Sequence, residues 1–304
     1  MKGRELSASP HHVLNAVAAK GGVSLELSAD IRAHVAGAVK TGVPNWLSEG
    51  RAVDIPFEGD PEAVRAALGG AKAGWPVDLN VIPVAGRRKK LLVADMDSTI
   101  IGCECIDELA DMAGIKPRVA AITERAMRGE LDFEGALRER VALLKGLPLE
   151  AVARVYAERV RLNPGAKVLL RTMRANGAYC FLVSGGFTYF TSRVAEDAGF
   201  DNSQGNTLID DGKALTGTVA EPILGREAKL QTLMREAERL GIDVAETLGV
   251  GDGANDLAMI QRAGLGVAYH AKPVVAKAAG AAINHGDLSA LLYLQGYRDS
   301  DFVR

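Results

Sequence analysis

Several short apolar runs that break off in acid, serine or glycine constrain this chain more than any other feature. Extended runs are read at Leu91–Ala94, Ala178–Val183, Glu246–Val250, Leu265–Ala268 and Ala281–Ile283. Helical periodicity is read between or after them at Thr188–Ala198, Arg226–Leu240, Ala254–Ala263 and Pro273–Ala279. Strands that are apolar on both sides and alternate with helices belong to a parallel sheet covered on both faces. The predicted fold class is therefore α/β, a doubly wound parallel sheet. In such sheets the carboxyl ends of the strands face the crevice where ligands bind.

Two regions depart from this alternation. From about residue 104 to 160 nearly everything reads helical, with segments at Glu104–Ala113, Pro117–Arg128, Phe133–Leu144 and Leu149–Tyr156. A helical insertion directly after the first strand predicts a cap over the strand ends. Asn206–Ile209 and Ala214–Val219, around Asp211–Gly212, read as a hairpin appended to the sheet. Residues 1–84 predict a small α+β domain, followed by the sheet domain with its cap over 85–304. Within residues 1–84 we expect a helix at His12–Lys20, a strand at Val23–Leu27, a helix at Asp30–Lys40, an extended Arg51–Phe57, a helix at Pro61–Ala73 and an extended Val77–Val84. The last strand–helix–strand stretch suggests half of a ferredoxin-like split βαβ. The basic run Gly86–Lys90 reads as a solvated connector.

Composition removes other classes. The 304 residues carry 36 basic and 38 acidic side chains, a balance that argues against coating nucleic acid or an anionic membrane. No apolar run approaches the ~18–20 residues that span a bilayer, and the N-terminus lacks a signal-peptide core, so a cytoplasmic location is expected. Cys103, Cys105 and Cys180 suit neither a disulfide framework nor a zinc site and read as packing thiols.

The chemistry concentrates at strand ends. Asp95 and Asp97 follow the first apolar run, and alternation along an extended chain would bring both carboxylates to one small volume. That suits a metal site, an acid/base pair, or both, although a strand-end aspartate also serves as a plain turn or cap residue. Asp252, Asn255 and Asp256 lie in a second such junction among glycines. Four aspartates at two strand ends make an oxygen-rich site for a hard cation, most naturally Mg²⁺. Ser184 and Gly185 form a third junction, offering a hydroxyl and N–H groups at a helix N-terminus. Lys229 supplies a charge that could neutralise a phosphoryl oxygen.

DMDST at Asp95–Thr99, SGG at Ser184–Gly186, the helical Lys229 and GDGAND at Gly251–Asp256, in that order, resemble the signature of the haloacid dehalogenase superfamily of aspartate-nucleophile phosphatases. Within it, DMDSTIIGCECIDELA, LDFEGALRERVALLKGL, VSGGF, GDGANDLAMI and the AKP at Ala271–Pro273 resemble the phosphoserine phosphatase family, over residues 88 to 295. The resemblance implies Mg²⁺-dependent hydrolysis of O-phospho-L-serine through an aspartyl-phosphate, the final step of L-serine biosynthesis. It implies Asp95 as nucleophile and Asp97 as general acid/base. Mg²⁺ would be held by Asp95, the Asp97 carbonyl and Asp252, with Asp256 in support. Ser184, the Gly185 N–H, Lys229 and Asn255 would handle the phosphoryl group. In the cap, Glu104 would bind the substrate ammonium and Arg140 its carboxylate, while Phe133, with Met127 nearby, would close over the site. Bland readings remain: Glu104 as a first-turn helix acid, Arg140 paired on the surface with Glu139 or Glu134, and Phe133 as a seam anchor.

Other functions stay in view. Phosphohomoserine or a sugar phosphate is the alternative substrate, and Glu104 with Arg140 speaks against the sugar. An ion pump would need transmembrane helices and a non-acidic residue at Asp97. An amino-acid-sensing protein without activity would not need the intact acidic set. In longer relatives the N-terminal region resembles amino-acid-binding regulatory domains of the ACT type. Here it is short and shows no ligand signature, and a docking or homodimer-forming module is the other reading.

Overall fold

A computed structural model describes residues 11–19, 21–69 and 74–304. The chain forms two principal sheets. The first contains β1 (His12–Val17), α1 (Leu25–Val35), β2 (Lys40–Thr41), β3 (Asn45–Ser48), β4 (Ala52–Glu58), α2 (Pro61–Leu68) and β5 (Asp78–Pro83). Its order is β2-β4-β1-β5, with β3 continuing the β2 edge beside β4 and every pairing antiparallel. This is the order of the split βαβ.

Three expectations fail here. His12–Val17 is a strand rather than a helix. Val13 to Val17 are all buried because the two faces of β1 serve different cores. Leu14 and Ala16 join the cluster with Ile31 and Val64 of α1 and α2, whereas Val13 and Val17 join the large cluster with Leu291. Burial on both faces erases the alternation that distinguishes a strand from a helix. The expected strand at Val23–Leu27 is instead a helix start, with Ser24 as N-cap accepting from Leu27 N–H at 3.0 Å. The helix expected at Asp30–Lys40 is accordingly the earlier one, Leu25–Val35. The expected helix at Pro61–Ala73 runs to Leu68; residues 70–73 lie outside the described residues, as does Lys20.

The second sheet begins at β6 (Leu91–Ala94). After it come the cap helices α3 (Cys105–Met112), α4 (Lys116–Met127), α5 (Phe133–Ala142) and α6 (Leu149–Arg159). Next are α7 (Ala166–Ala175), β7 (Tyr179–Phe187), α8 (Thr188–Ala198), β8 (Asn202–Asn206), the hairpin β9 (Leu208–Asp210) and β10 (Leu215–Val219), and α9 (Ala228–Leu240). The remainder is β11 (Thr247–Gly251), α10 (Leu257–Arg262), β12 (Leu265–Tyr269), α11 (Pro273–Ala278), β13 (Ala281–Ile283) and α12 (Ala290–Leu294). The strand order is β13-β12-β11-β6-β7-β8, parallel throughout. Leu91 and Val93 pack with Leu233 and Met259 on one face, while Leu92 and Ala94 pack with Leu169, Phe190 and Leu291 on the other. The chain winds outward from β6 in both directions, so the crevice of the doubly wound sheet opens at the end of β6. Among the described residues no helix is long and apolar enough to cross a membrane.

The hairpin does not extend this sheet. It packs on the cap, with Gly146 N–H donating to Leu215 C=O at 2.8 Å and Leu149 N–H to Lys213 C=O at 2.9 Å. The expected first hairpin strand, Asn206–Ile209, is split: Asn206 ends β8 at the main-sheet edge, and β9 starts two residues later.

The basic connector is solvated only in part: Gly86, Arg88 and Lys90 are exposed, whereas Arg87 and Lys89 are drawn inward. Arg87 is held in a two-bond ion pair with Asp54 of β4, Nη1 at 2.5 Å and Nη2 at 2.9 Å, and donates from Nε to Leu294 C=O at 2.6 Å. Lys89 is buried, its Nζ donating to Gly86 C=O at 2.9 Å and Ala245 C=O at 2.7 Å. Burial lowers its pKa, against the pull of Glu246. Asp78 of β5 accepts from the backbone N–H groups of Asn284, His285 and Gly286 at 2.6 to 3.0 Å. Asn80 exchanges two bonds with Ala282 of β13, at 2.8 and 3.1 Å. The side chain of Asn80 thus satisfies backbone groups of β13, the edge strand of the second sheet.

Candidate active site

Asp95 ends β6, extending its ladder through a 3.0 Å bond from its N–H to Val250 C=O. Its side chain accepts from Met96 N–H at 2.8 Å and lies 2.7 Å from Lys229 Nζ. The chain then turns sharply, with Ser98 in the left-handed region at φ 57°. The segment is not the extended strand assumed from alternation, yet the charge of Asp97 still adds, after burial and Asp256, to what raises the Asp95 pKa. Asp97 Oδ1 accepts from Cys105 N–H at 2.9 Å, in the first turn of α3, and Oδ2 accepts from Ser184 Oγ at 3.1 Å. Burial raises the Asp97 pKa while these bonds pull it down.

Ser184 and Gly185 occupy an irregular end of β7, where the register against β8 shifts between Val183 and Phe187. α8 starts at Thr188, where the helix was expected, but Ser184 and Gly185 remain in the strand, which continues through the bulge to Phe187, so they precede the helix N-terminus rather than form it. Ser184 Oγ also accepts from Gly186 N–H at 2.8 Å. A Cβ on Gly185 would come within 2.9 Å of the Phe133 ring, so any larger residue there would displace that ring. Asn206, which the sequence reading did not single out, holds Gly185 C=O at 2.8 Å.

Lys229 is 4% exposed in the first turn of α9 and reaches both Asp95 and Asp256. Burial works against its ammonium, but the two carboxylates prevail and hold its pKa above the ordinary lysine value. Asp256 is fully buried, with one oxygen on Lys229 and the other accepting from Asp252 N–H at 3.1 Å and Gly253 N–H at 2.8 Å. Its carboxyl lies where a Cβ on Gly251 would stand, which explains that glycine. Asn255 folds back against Gly253, where a Cβ would meet its Oδ1 at 2.3 Å.

Oxygens of Asp95, Asp252 and Asp256 lie within 4.8 Å of one another. Burial first, then the neighbouring Asp256, raises the pKa of Asp95 well above the ordinary value and also raises that of Asp252. One ammonium against these carboxylates leaves negative charge in a desolvated site, and the donors are all oxygen. That set fits a hard divalent cation. Asp256 already satisfies a lysine and two amides and lies fully buried, whereas Asp252 is partly exposed and Asp95 buried beside Lys229.

In the cap, Glu104 precedes α3 but makes no capping bond; it accepts from Ser98 Oγ at 2.7 Å. Burial, then Asp97, pushes its carboxyl up to about 7. Arg140 of α5 is not paired with Glu139 or Glu134, which bind Arg125 and Arg138 instead. It is partly buried, its Nε donating to Ala136 C=O at 3.2 Å, and burial lowers its pKa against the pull of Asp107 and Glu104. Phe133, at the start of α5, meets Gly185 across the seam between cap and sheet. Met127 ends α4 with 69% of its surface exposed. Thr99 and Asn163 were also missed: Thr99 Oγ1 donates to Asp252 Oδ1 at 3.0 Å, and Asn163 Nδ2 to Thr99 C=O at 2.8 Å. Neither residue type in isolation carries a sequence signal.

Comparison with known proteins decides the lineage. The profile of the haloacid dehalogenase-like hydrolases matches residues 92–261, more than half of the chain. The chain belongs to that family. A phosphoserine phosphatase of Polaromonas sp. is 48% identical over 210 residues, 67% of this chain and 89% of the relative. Another from Streptomyces coelicolor is 46% identical over 249 residues, 81% of this chain but 60% of that longer relative. The crystal structure of a probable phosphoserine phosphatase from Vibrio cholerae matches with a TM-score of 0.77 at 33% identity, covering 94% of this chain and 86% of that one. The match to the Vibrio structure therefore takes in most of the N-terminal sheet as well as the hydrolase core.

Proposed function

We propose that this member of the hydrolase family cleaves O-phospho-L-serine to L-serine and phosphate with Mg²⁺, as a cytoplasmic enzyme completing L-serine synthesis. The observation that carries this reading is the buried Asp95, paired with Lys229 at 2.7 Å and covered by a cap whose Glu104 and Arg140 are spared from surface pairing. Phosphoserine presents a phosphate, an ammonium and a carboxylate, and the site offers a complement to each. Its similarity to enzymes named for this substrate supports the choice. We assign residues 1–84 to a separate small domain and 85–304 to the catalytic domain, in keeping with the two sheets.

In this reading Asp95, the Asp97 backbone carbonyl and Asp252 would hold Mg²⁺, with Asp256 fixing the Asp252 loop. When bound, the ion would supply charge neutralisation at the phosphoryl oxygens and favour ionised Asp95. A carboxylate oxygen of Asp95 attacks phosphorus in line; the bond to the serine oxygen breaks, and Asp97 delivers a proton to that oxygen. Asp97 then takes a proton from the water that attacks phosphorus of the aspartyl-phosphate, releasing phosphate and restoring Asp95. Ser184, the Gly185 N–H and Lys229 stabilise the phosphoryl oxygens, and Asn255 orients the group or the lysine. Glu104 receives the ammonium and Arg140 the carboxylate, and Phe133 excludes water at the seam.

Steady-state hydrolysis of phosphoserine, phosphothreonine, phosphohomoserine and a sugar phosphate, with and without Mg²⁺, tests the reading. Phosphoserine is expected to give the highest kcat/KM, and chelation to abolish turnover; a faster sugar phosphate would refute the substrate. Arg140→Ala is expected to lower kcat/KM for phosphoserine roughly 100-fold, the scale of a lost charge-assisted bond, while sparing an aryl phosphate. Equal losses on both would remove Arg140 from substrate reading. With Glu104 held near pH 7 by burial, its protonation as pH falls through that value removes the ammonium partner. KM for phosphoserine should then rise below pH 7 while that for the aryl phosphate stays level.

A further inference from the structure

The cap is joined to the sheet by two linkers that run side by side. Gly102 N–H donates to Arg161 C=O at 3.2 Å, Ile101 and Leu162 form an antiparallel bridge, and Asn163 N–H donates to Ile100 C=O at 2.8 Å. The backbone ladder stops there, but the Asn163 side chain adds one more rung by donating from Nδ2 to Thr99 C=O at 2.8 Å. Thr99 is fully buried and spends its hydroxyl on Asp252 Oδ1 at 3.0 Å.

We propose that Asn163 is a positioning residue: it clips the return linker of the cap to the catalytic turn and, through Thr99, sets the orientation in which Asp252 meets the cation. The inference rests on Asp252 being a cation ligand. A bland role in turn or cap formation does not account for the side chain. The N-cap of α7 is Gly165, and it receives no side-chain capping bond. Beyond Asn163 the chain is already anchored to the core. Leu288 N–H donates to Pro164 C=O at 3.0 Å, and a Cβ on Gly165, at φ 83°, would lie 2.4 Å from Ser289 N. Asn163 thus stands at the boundary between the anchored core and the cap. Thr99 needs the clip because it follows Ser98, whose left-handed backbone takes the turn out of any regular ladder. One oxygen of Asp252 engaged by Thr99 leaves the other aimed, and outer contacts of this kind are typically worth 10–100-fold in metal affinity.

The test is calorimetric titration of the substrate-free full chain with Mg²⁺, alongside thermal melting and turnover. Asn163→Asp keeps the shape but cannot donate to the Thr99 carbonyl; Asn163→Ala removes the group. Both are expected to weaken Mg²⁺ binding about 10-fold and to lower kcat with KM for phosphoserine within twofold. Thr99→Val should weaken Mg²⁺ similarly, and adding Asn163→Ala to it should weaken binding little further, because the two act in series. Unchanged Mg²⁺ affinity in both Asn163 variants overturns the proposal, as does full additivity with Thr99→Val. If the wild type itself takes up no Mg²⁺, the cation reading of Asp252 fails and the proposal falls with it; wild-type binding with unaltered variants sinks the proposal alone.

Discussion

Asp95→Asn is expected to fold normally and to lose turnover by a factor on the order of 10⁴ or more. The amide has the same volume, can still accept from Met96 N–H, and leaves Lys229 its partner Asp256. What it lacks is the anionic oxygen that would attack phosphorus in the proposed mechanism. Stability should not fall. Burial and the charge of Asp256 raise the pKa of Asp95, so ionised Asp95 opposes folding in the absence of a cation. That cost is absent below the unfolded carboxylate pKa, where the group is protonated in both states, and develops as pH rises above it. Melting followed by circular dichroism at neutral pH, in chelator, should place the variant at or above wild type. Residual turnover within tenfold of wild type would show that another group is the nucleophile.

The second large effect lies far from the chemistry. Asp54→Ala should lower global stability by about 3–5 kcal/mol, because it leaves the guanidinium of Arg87 buried without its counter-charge. The side chains of Arg87 and Asp54 are only 10% and 4% exposed, and Asn15 adds a further bond to Asp54 at 2.7 Å. Arg87 also holds the carbonyls of Tyr293 and Leu294 in α12, so the pair joins the two sheets through the last helix of the hydrolase core. The N-terminal sheet is therefore bonded into the core rather than tethered to it. Denaturant unfolding should show one transition displaced to lower concentration; an unchanged midpoint would mean that the pair is dispensable.

How much of this was readable depended on whether local pattern and tertiary context agreed. Leu91–Ala94 followed by acid reads as a central strand because all four residues are buried in the middle of a parallel sheet. The aspartates were legible because glycines beside them have no competing use: Gly251 makes room for the Asp256 carboxyl. His12–Val17 misled because a sheet buried on both faces loses its alternation. The run Arg87–Lys90 looked like solvated charge, and only long-range partners, Asp54 for Arg87 and Ala245 for Lys89, bury its first and third members. Asn163 and Thr99 escaped notice for the same reason, since each acts through a partner distant in sequence.

In the proposed mechanism Asp95 carries the phosphoryl group of phosphoserine. Mixing the enzyme with radiolabelled phosphoserine and Mg²⁺, quenching in acid and mapping the labelled peptide tests it most directly. A hydroxylamine-sensitive acyl phosphate is expected on the peptide bearing Asp95, absent from Asp95→Asn. Label on another residue, or turnover of phosphoserine with no trapped phosphoenzyme under conditions that trap it in an authentic aspartyl phosphatase, would contradict it.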